Sequence, residues 1–459
     1  MDARPKRLFN PDFSLVITLL IPIFSEQFAS VFISILSSMV SSNIDTNIIN
    51  VTSLVSSVIT LPGALYGCIA SGSAILMSHA MGGGDTKKAR GLFTTSMHLG
   101  ISIALFVTLV AIIFGQPLLK AFYPHMSEEF FKLGRIYTIF AAAAFPINFY
   151  QTNCIGIMRS CLNTSGAFLI SMSVAIVDLA FKAFFMLYLD LGILGLCLAM
   201  LIAKIYSIVV CSVIVKRIGI FKGCLLDFKN FIEKDSSKDI FRLGVVMCAE
   251  SFFSSLGGVI LGKILADMGD MEVTGYTLSV SMQSLLTVLP NSIALVAQIV
   301  SGRYKGAGDD DHALKLSMSL TLIATFIHLS FSMISLTYID KFVLLYTKET
   351  AVIDIILRVY KAYVFSMPFV WAFGNVLSAG IRGYGNVRQP ALTIIISLWL
   401  FKIPATYLAV SVLQTGAVGR TLVYSLETAI YGASFIGYYL LELHRIKKRK
   451  LQETKQAAI

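Results

Sequence analysis

Apolar runs of about twenty residues or more, with few or no charges inside them, recur along the whole chain. A run of that length lets a helix cross the roughly 30 Å hydrocarbon core of a bilayer. Its continuous apolarity leaves no solvated face of the kind a soluble amphipathic helix carries. Reading from charge to charge gives six spans in the first part: Phe13–Met39, Ile48–His79, Leu92–Phe114, Ile136–Met158, Ala167–Leu189 and Leu191–Val215. Six more follow: Leu243–Leu265, Val273–Val300, Leu316–Tyr338, Tyr363–Ile381, Ala391–Val412 and Thr421–Leu441. The second run exceeds one crossing, so it tilts or begins as loop. Pro22, Pro62, Pro146, Pro290, Pro368 and Pro404 fall inside runs, where each removes a backbone hydrogen bond and favours a kink. The pattern predicts an all-α polytopic membrane protein with twelve transmembrane helices.

Composition sharpens this. Of 459 residues, 56% are hydrophobic and 14% charged, against about 25% charged in soluble domains. The net charge of +11 does not point to nucleic acid, because the cations sit in short runs between apolar segments rather than in a basic domain. They mark one side of the membrane: Arg4, Lys6 and Arg7, then Lys87, Lys88 and Arg90, the stretch Lys216–Lys238, and the tail Arg445–Lys450. The opposite loops are acidic or mixed, with Asp45, Glu128, Glu129, Asp190, Asp267 and Glu349. The positive-inside bias therefore predicts a cell-membrane protein with both termini cytoplasmic. The basic start is expected to lead straight into the first span, without a cleaved leader. The seven cysteines show no CxxC spacing and mostly lie in apolar runs, so neither disulfides nor a metal site is expected.

An internal duplication is visible before any motif is interpreted. Gly82, Gly84 and Asp85 in "GGGDTKKA" match Gly306, Gly308 and Asp309 in "GAGDDDHA", 224 residues later. Glu26 and Glu250 share that offset; Arg159 and Arg382 differ by 223, and Lys182 and Lys402 by 220. The chain thus reads as two six-span halves, 1–215 and 240–459, joined by a cytoplasmic linker at 216–239. Six is even, so the halves enter the membrane from the same side. They are parallel repeats, an arrangement transporters use with sites at the repeat interface.

The doubled GxGD, the arginine–asparagine segments "GIMRSCLN" and "GIRGYGN", and "LFKIP" in the eleventh span together resemble the multidrug and toxin extrusion (MATE) family over essentially the whole chain. The resemblance implies two six-helix bundles around a central cleft. It also implies a monomer in lipid that exports small cationic or amphiphilic compounds in antiport with H⁺ or Na⁺, with no cofactor beyond the coupling ion. It marks Glu250 as matching a glutamate of the seventh helix, and Asp178 as matching an acid of the fifth helix used in proton coupling. The chain departs from the family late in the first span. Many members carry an aspartate there, whereas this sequence reads Ile35-Leu-Ser-Ser-Met39.

The residues themselves locate the candidate chemistry. A charge near the bilayer centre costs on the order of 2.5–3.5 kcal/mol, so it is normally paired or functional. The spans contain Glu26, Asp178, Lys182, Lys204, Glu250, Lys402 and Glu427. Two readings stand for Glu26 and Glu250: carriers of coupling protons or cationic substrate, or carboxyls bonded to a neighbouring helix. Asp178 and Lys182 are four residues apart and can pair on one helix face, either to ease insertion or as a carboxylate for which a proton or drug competes. Lys402 needs a partner from another helix, with Glu427 the candidate; Lys204 has no evident partner.

Cation binding also uses aromatic faces, worth about 0.5–2 kcal/mol each. Phe32, Phe149, Tyr150, Phe253 and Trp371 are cleft-lining candidates, with the polar Gln151, Asn153, Gln283 and Asn375; helix packing is the alternative for each. Gly82, Gly84, Asp85, Gly306, Gly308 and Asp309, with Arg159 and Arg382, read as structural loop motifs in which the aspartates brace a neighbouring loop. "GGVILGKI" at 257–264 imitates a phosphate loop but ends in Ile within an apolar span, so no nucleotide-driven pump is read. The six scattered histidines show no nucleophile or metal spacing, so an enzyme is not expected. A lipid-linked oligosaccharide or lipid flippase of similar fold remains the alternative, with a cleft richer in Arg and Lys as its mark. A channel would be distinguished by the absence of ion-driven uphill flux.

Overall fold

The computed structural model describes residues 13–42, 46–123, 126–217, 234–344 and 349–457. Among them every regular element is helical. The first part holds α1 (Phe13–Ser42), α2 (Thr46–Gly82), α3 (Thr86–Phe122), α4 (Glu128–Ala143), α5 (Phe145–Ser160), α6 (Thr164–Ala183) and α7 (Gly192–Arg217). The second holds α8 (Lys234–Ala266), α9 (Asp270–Gly306), α10 (Asp310–Leu336), the short α11 (Ile339–Val343), α12 (Thr350–Ser366) and α13 (Pro368–Gly383). It ends with α14 (Arg388–Ile396), α15 (Ile403–Tyr407) and α16 (Gly416–Ala457). In lipid a segment must satisfy all its own backbone groups, and a helix does so within itself.

Eight of these helices are long and apolar enough to cross a bilayer, and two bent pairs raise the number to ten. The remaining long helices, α2 and α16, stand where the second and twelfth expected spans lie. Two spans differ from the sequence reading. Ile136–Met158 is broken at Ala144, where α4 and α5 bend by 44°, because Pro146 sits in the first turn of α5. The span read as Tyr363–Ile381 starts earlier, at Thr350, and bends by 65° where Pro368 opens α13. The charges that hid its first half, Asp354 and Arg358, face each other one turn apart at 2.9 Å on the exposed side of α12. The linker expected at 216–239 falls largely on 218–233, outside the described residues.

The chain divides into two compact units, Ser25–Cys248 and Ala249–Ile459 with the chain before Ser25. In the first, α2, α3, α5, α6 and α7 close around Phe93, Met77, Phe149, Ile157 and Met158, all fully buried. In the second, α13 and α16 meet through Leu377, Ile381, Tyr431 and Phe435. Lipid tails are as apolar as leucine, so helices associate through small residues and hydrogen bonds. Ser160 donates to the Ala74 carbonyl at 2.8 Å between α5 and α2, and Ser301 donates to the Gly380 carbonyl at 2.9 Å between α9 and α13. At Gly383 a Cβ would meet the backbone carbonyl of Gln298, so glycine is what lets α13 approach α9.

The duplication extends to backbone detail. Gly84 and Gly308 adopt φ of 75° and 81°, and the amide of the following aspartate returns to the helix it has left, Asp85 to Ala80 O at 3.0 Å and Asp309 to Tyr304 O at 2.9 Å. Each aspartate then caps its own next helix, Asp85 accepting from Lys88 N at 2.9 Å and Asp309 from His312 N at 3.2 Å. The brace to a neighbouring loop expected of them is therefore a cap, the arrangement a short acceptor side chain favours at a helix start. Gly82 and Gly306 end α2 and α9. Asn163 and Asn386 cap in the same manner, accepting from Gly166 N at 2.9 Å and Gln389 N at 3.2 Å.

A Cβ at position 308 would meet nothing within 4 Å, so replacement there tests the backbone alone. Gly308→Ala is expected to cost about 1–2 kcal/mol through the left-handed conformation and to lower the melting temperature in detergent. An unchanged melt would refute the assigned turn.

Candidate functional site

The two repeat-related glutamates are held by the two repeat-related arginines. Arg159, in the last turn of α5, places Nη2 2.8 Å from Glu26 Oε1 of α1, and the Ser171 hydroxyl of α6 donates to the same oxygen at 2.6 Å. Arg382, in the last turn of α13, places Nη2 2.6 Å from Glu250 Oε1 of α8. In both pairs the carboxylate side chain is less exposed than the guanidinium. The arginines read from sequence as loop motifs are thus the counter-charges of the intramembrane acids. Each clamp ties the first helix of a repeat to the end of its fourth span.

Beside the first clamp, in the unit Ser25–Cys248, lies a cavity of about 380 Å³. Glu26 lines it, with Ser30, Gln151, Asp178, Lys182 and Lys204. Lys182 Nζ contacts Asp178 Oδ2 at 2.6 Å, one turn apart on α6. Lys204 of α7 donates to Gln151 Oε1 of α5 at 3.0 Å, which supplies the partner the sequence left open. An amide oxygen is a weaker partner for an ammonium than a carboxylate. The site holds two ammonium groups and one carboxylate not already bound to an arginine.

The second unit has its own cavity, of about 340 Å³. Lys402 Nζ sits 2.8 Å from Glu427 Oε2 of α16 and 4.1 Å from the ring centre of Tyr424. Lys402 closes a π-helical turn, Ser397–Lys402, between α14 and α15. Arg420 also lines this cavity, its guanidinium 4.1 Å from the ring centre of Tyr276 on α9. Among the described residues no carboxylate pairs with Arg420. Tyr431 and Asn375 complete its polar wall.

The other sequence candidates are placed apart from these cavities. Phe149 is fully buried in the helix core. Asn153 ties three helices together, accepting from Ser73 of α2 at 2.7 Å and donating to Ser96 of α3 at 3.0 Å. Tyr150 bonds Ser212 at 2.8 Å, and Gln283 donates to Ser279 at 2.9 Å. Trp371 meets the buried His328 edge-on at 5.5 Å, and Phe253 meets Trp399 edge-on at 6.0 Å. Phe32 is exposed. The side chains of Ile35–Met39 lie outside the described residues. Sequence reasoning missed Arg420, Tyr276 and Tyr424. Arg420 reads as a loop cation just before the last span, and only the spacing 420, 424, 427 would place it on the face that carries Glu427.

The MatE family model matches the chain twice, over residues 22–184 and 244–408. The uncharacterized transporter YisQ of Bacillus subtilis is 22% identical over 411 residues, 88% of each chain. A probable multidrug resistance protein NorM of Thermotoga maritima is 23% identical over 184 residues, and that match spans 40% of this chain and 39% of the relative. Among solved structures, a Vibrio cholerae MATE transporter aligns with a TM-score of 0.85 at 16% identity, covering 94% of this chain and 97% of that one. A MOP superfamily transporter from Pyrococcus furiosus, described as having a binding pocket of reverse polarity, aligns at 0.83 and 16% identity, covering 94% and 96%.

Removing one member of a buried pair strands the other charge, at a cost of about 3 kcal/mol or more. Arg382→Gln and Glu250→Gln are each expected to lower thermal stability in detergent, and the double variant to recover part of the loss. Strict additivity in this double-mutant cycle would show that the pair is not an energetic unit.

Proposed function

The chain belongs to the MatE family, and we propose that it is a secondary active exporter of small cationic or amphiphilic compounds, driven by antiport with H⁺ or Na⁺. The observation that carries this reading is the cavity between α1, α5, α6 and α7, where Asp178 is the one carboxylate free of an arginine. Lys182 already holds that carboxylate, so a proton, a sodium ion or a cationic cargo must compete with an internal ammonium. A proton on Asp178 would loosen Lys182 and discharge the carboxylate together. An ion or cargo shifts a transporter between its states only by binding one of them better, and a contested carboxylate supplies such a difference.

On this reading Glu26 and Glu250 act through their arginines as fixed supports. The ionised state of a carboxylate is stabilised by the hydrogen-bonded guanidinium beside it. The protein would work as a monomer in the cell membrane, as two six-helix halves with both termini cytoplasmic, as the distribution of Lys and Arg suggests.

Purified protein in lipid vesicles, loaded with ethidium, tests the proposal under an imposed pH or sodium gradient. Uphill dye movement is expected only with a gradient. Asp178→Asn should reduce the initial gradient-driven rate at least tenfold. Wild-type flux that ignores both gradients, or a wild-type rate in Asp178→Asn, would overturn the coupling role.

A further inference from the structure

The two cavities are repeat-related, and, apart from the arginine-held Glu26, the described lining of each sets two cations against one carboxylate that a lysine already contacts. Ser171 and Ala175 line the first; Ile394 and Leu398, each 223 residues later, line the second, at the same offset as the caps Asn163 and Asn386 that open these helices. The left-handed residues Asp190 and Gly192 at the start of α7 recur as Gln414 and Gly416 at the start of α16, 224 residues later, which pairs the lining residues Met200 and Ala203 with Tyr424 and Glu427. Ser30 corresponds to Ser254 at the offset of 224 that relates Glu26 to Glu250. In the register of α7 and α16, Arg420 stands where the first repeat has Leu196, and Glu427 where it has Ala203.

The second cavity holds Lys402 and Arg420 against the single carboxylate of Glu427, which Lys402 already contacts at 2.8 Å. Among the described residues Arg420 has an aromatic face against it and no carboxylate paired with it. A guanidinium stacked on a ring keeps its in-plane N–H groups for an acceptor, and these match the two oxygens of a carboxylate or phosphate. Tyr276, Tyr424 and Leu398 supply apolar surface beside it. An uncompensated charge among transmembrane helices is costly, so one negative charge from a ligand would complete the site.

We propose that the cavity formed by Tyr276, Lys402, Arg420, Tyr424 and Glu427 binds the oxyanion of an amphiphilic cargo, a carboxylate or a phosphate ester, with Arg420 as its principal contact. This deepens the export reading and rests on it, by naming a charge that the cargo carries. The cavity favours an anionic group on an amphiphile with an aromatic or aliphatic body, and a cationic group of the same cargo is left to the first cavity.

Equilibrium binding to the full chain in detergent micelles, with no gradient present, tests this separately from transport. The probes are 1-naphthoate, 1-naphthyl phosphate and 1-naphthylmethylammonium, which share a ring system and differ in charge, measured by calorimetry. In the Asp178→Asn variant, which removes the carboxylate of the first cavity, at least one anion is expected to bind tenfold or more tightly than the ammonium probe. Arg420→Gln should weaken that anion at least tenfold, while Arg420→Lys retains most of the affinity. Tighter phosphate binding assigns a phosphate cargo, and equal or weaker phosphate binding assigns a carboxylate. In Asp178→Asn, ammonium binding equal to or tighter than both anions, or no anion binding, would overturn the proposal. An unchanged anion affinity in Arg420→Gln would overturn it as well. Gradient-driven dye flux is a different readout, so the site can fail while the exporter stands.

Discussion

A charge enters hydrocarbon only with company, and the form that company takes organises this molecule. Water is absent from the bilayer core, so each ionisable group must find a counter-charge, an amide oxygen or an aromatic face among its own helices. All three solutions are present. Glu26 and Glu250 have arginines, Lys204 has the carbonyl of Gln151, and Arg420 has the ring of Tyr276. The strongest partners hold the scaffold. The weaker ones line the cavities, where a ligand can improve on what the protein supplies.

Duplication explains why these solutions come in pairs. Both repeats keep the glycine–aspartate turn, the asparagine cap and the glutamate–arginine clamp, down to the sign of φ and the hydrogen-bond pattern. Such features fix helix ends and tolerate little change, since a cap or a left-handed turn admits few residue types. The cavity walls are under no such geometric rule. There the repeats exchange Leu196 for Arg420 and Ala203 for Glu427.

Much of the fold was legible because lipid imposes a simple code of long apolar helices. The code weakened where charges satisfy each other locally: Asp354 and Arg358 pair one turn apart, so α12 looked like loop when read from charge to charge. The helix breaks at Ala144 and Met367 were announced by the prolines that follow, although a kink angle is not written in a sequence. The candidate site was legible as a set of residue types but not as a set of contacts. Arg159 and Glu26 lie 133 residues apart, and no periodicity joins them; only the shared repeat offset hinted that the acids and arginines were kept together. Phe149, Asn153 and Trp371 were drawn in by chemistry alone, and packing claimed them, because aromatic and amide groups also serve as interhelical glue.

The ring beneath Arg420 has a kinetic consequence. A cation arriving at Asp178 has to evict Lys182 from a 2.6 Å contact, so entry there is an exchange between rivals. Among the described residues no carboxylate holds Arg420, and Tyr276 steadies its guanidinium at 4.1 Å. A guest at that guanidinium would arrive and depart without a carboxylate being evicted first. Each chamber keeps one lysine–carboxylate contact of its own, so what sets the second apart is a cation backed by a ring instead of an amide oxygen.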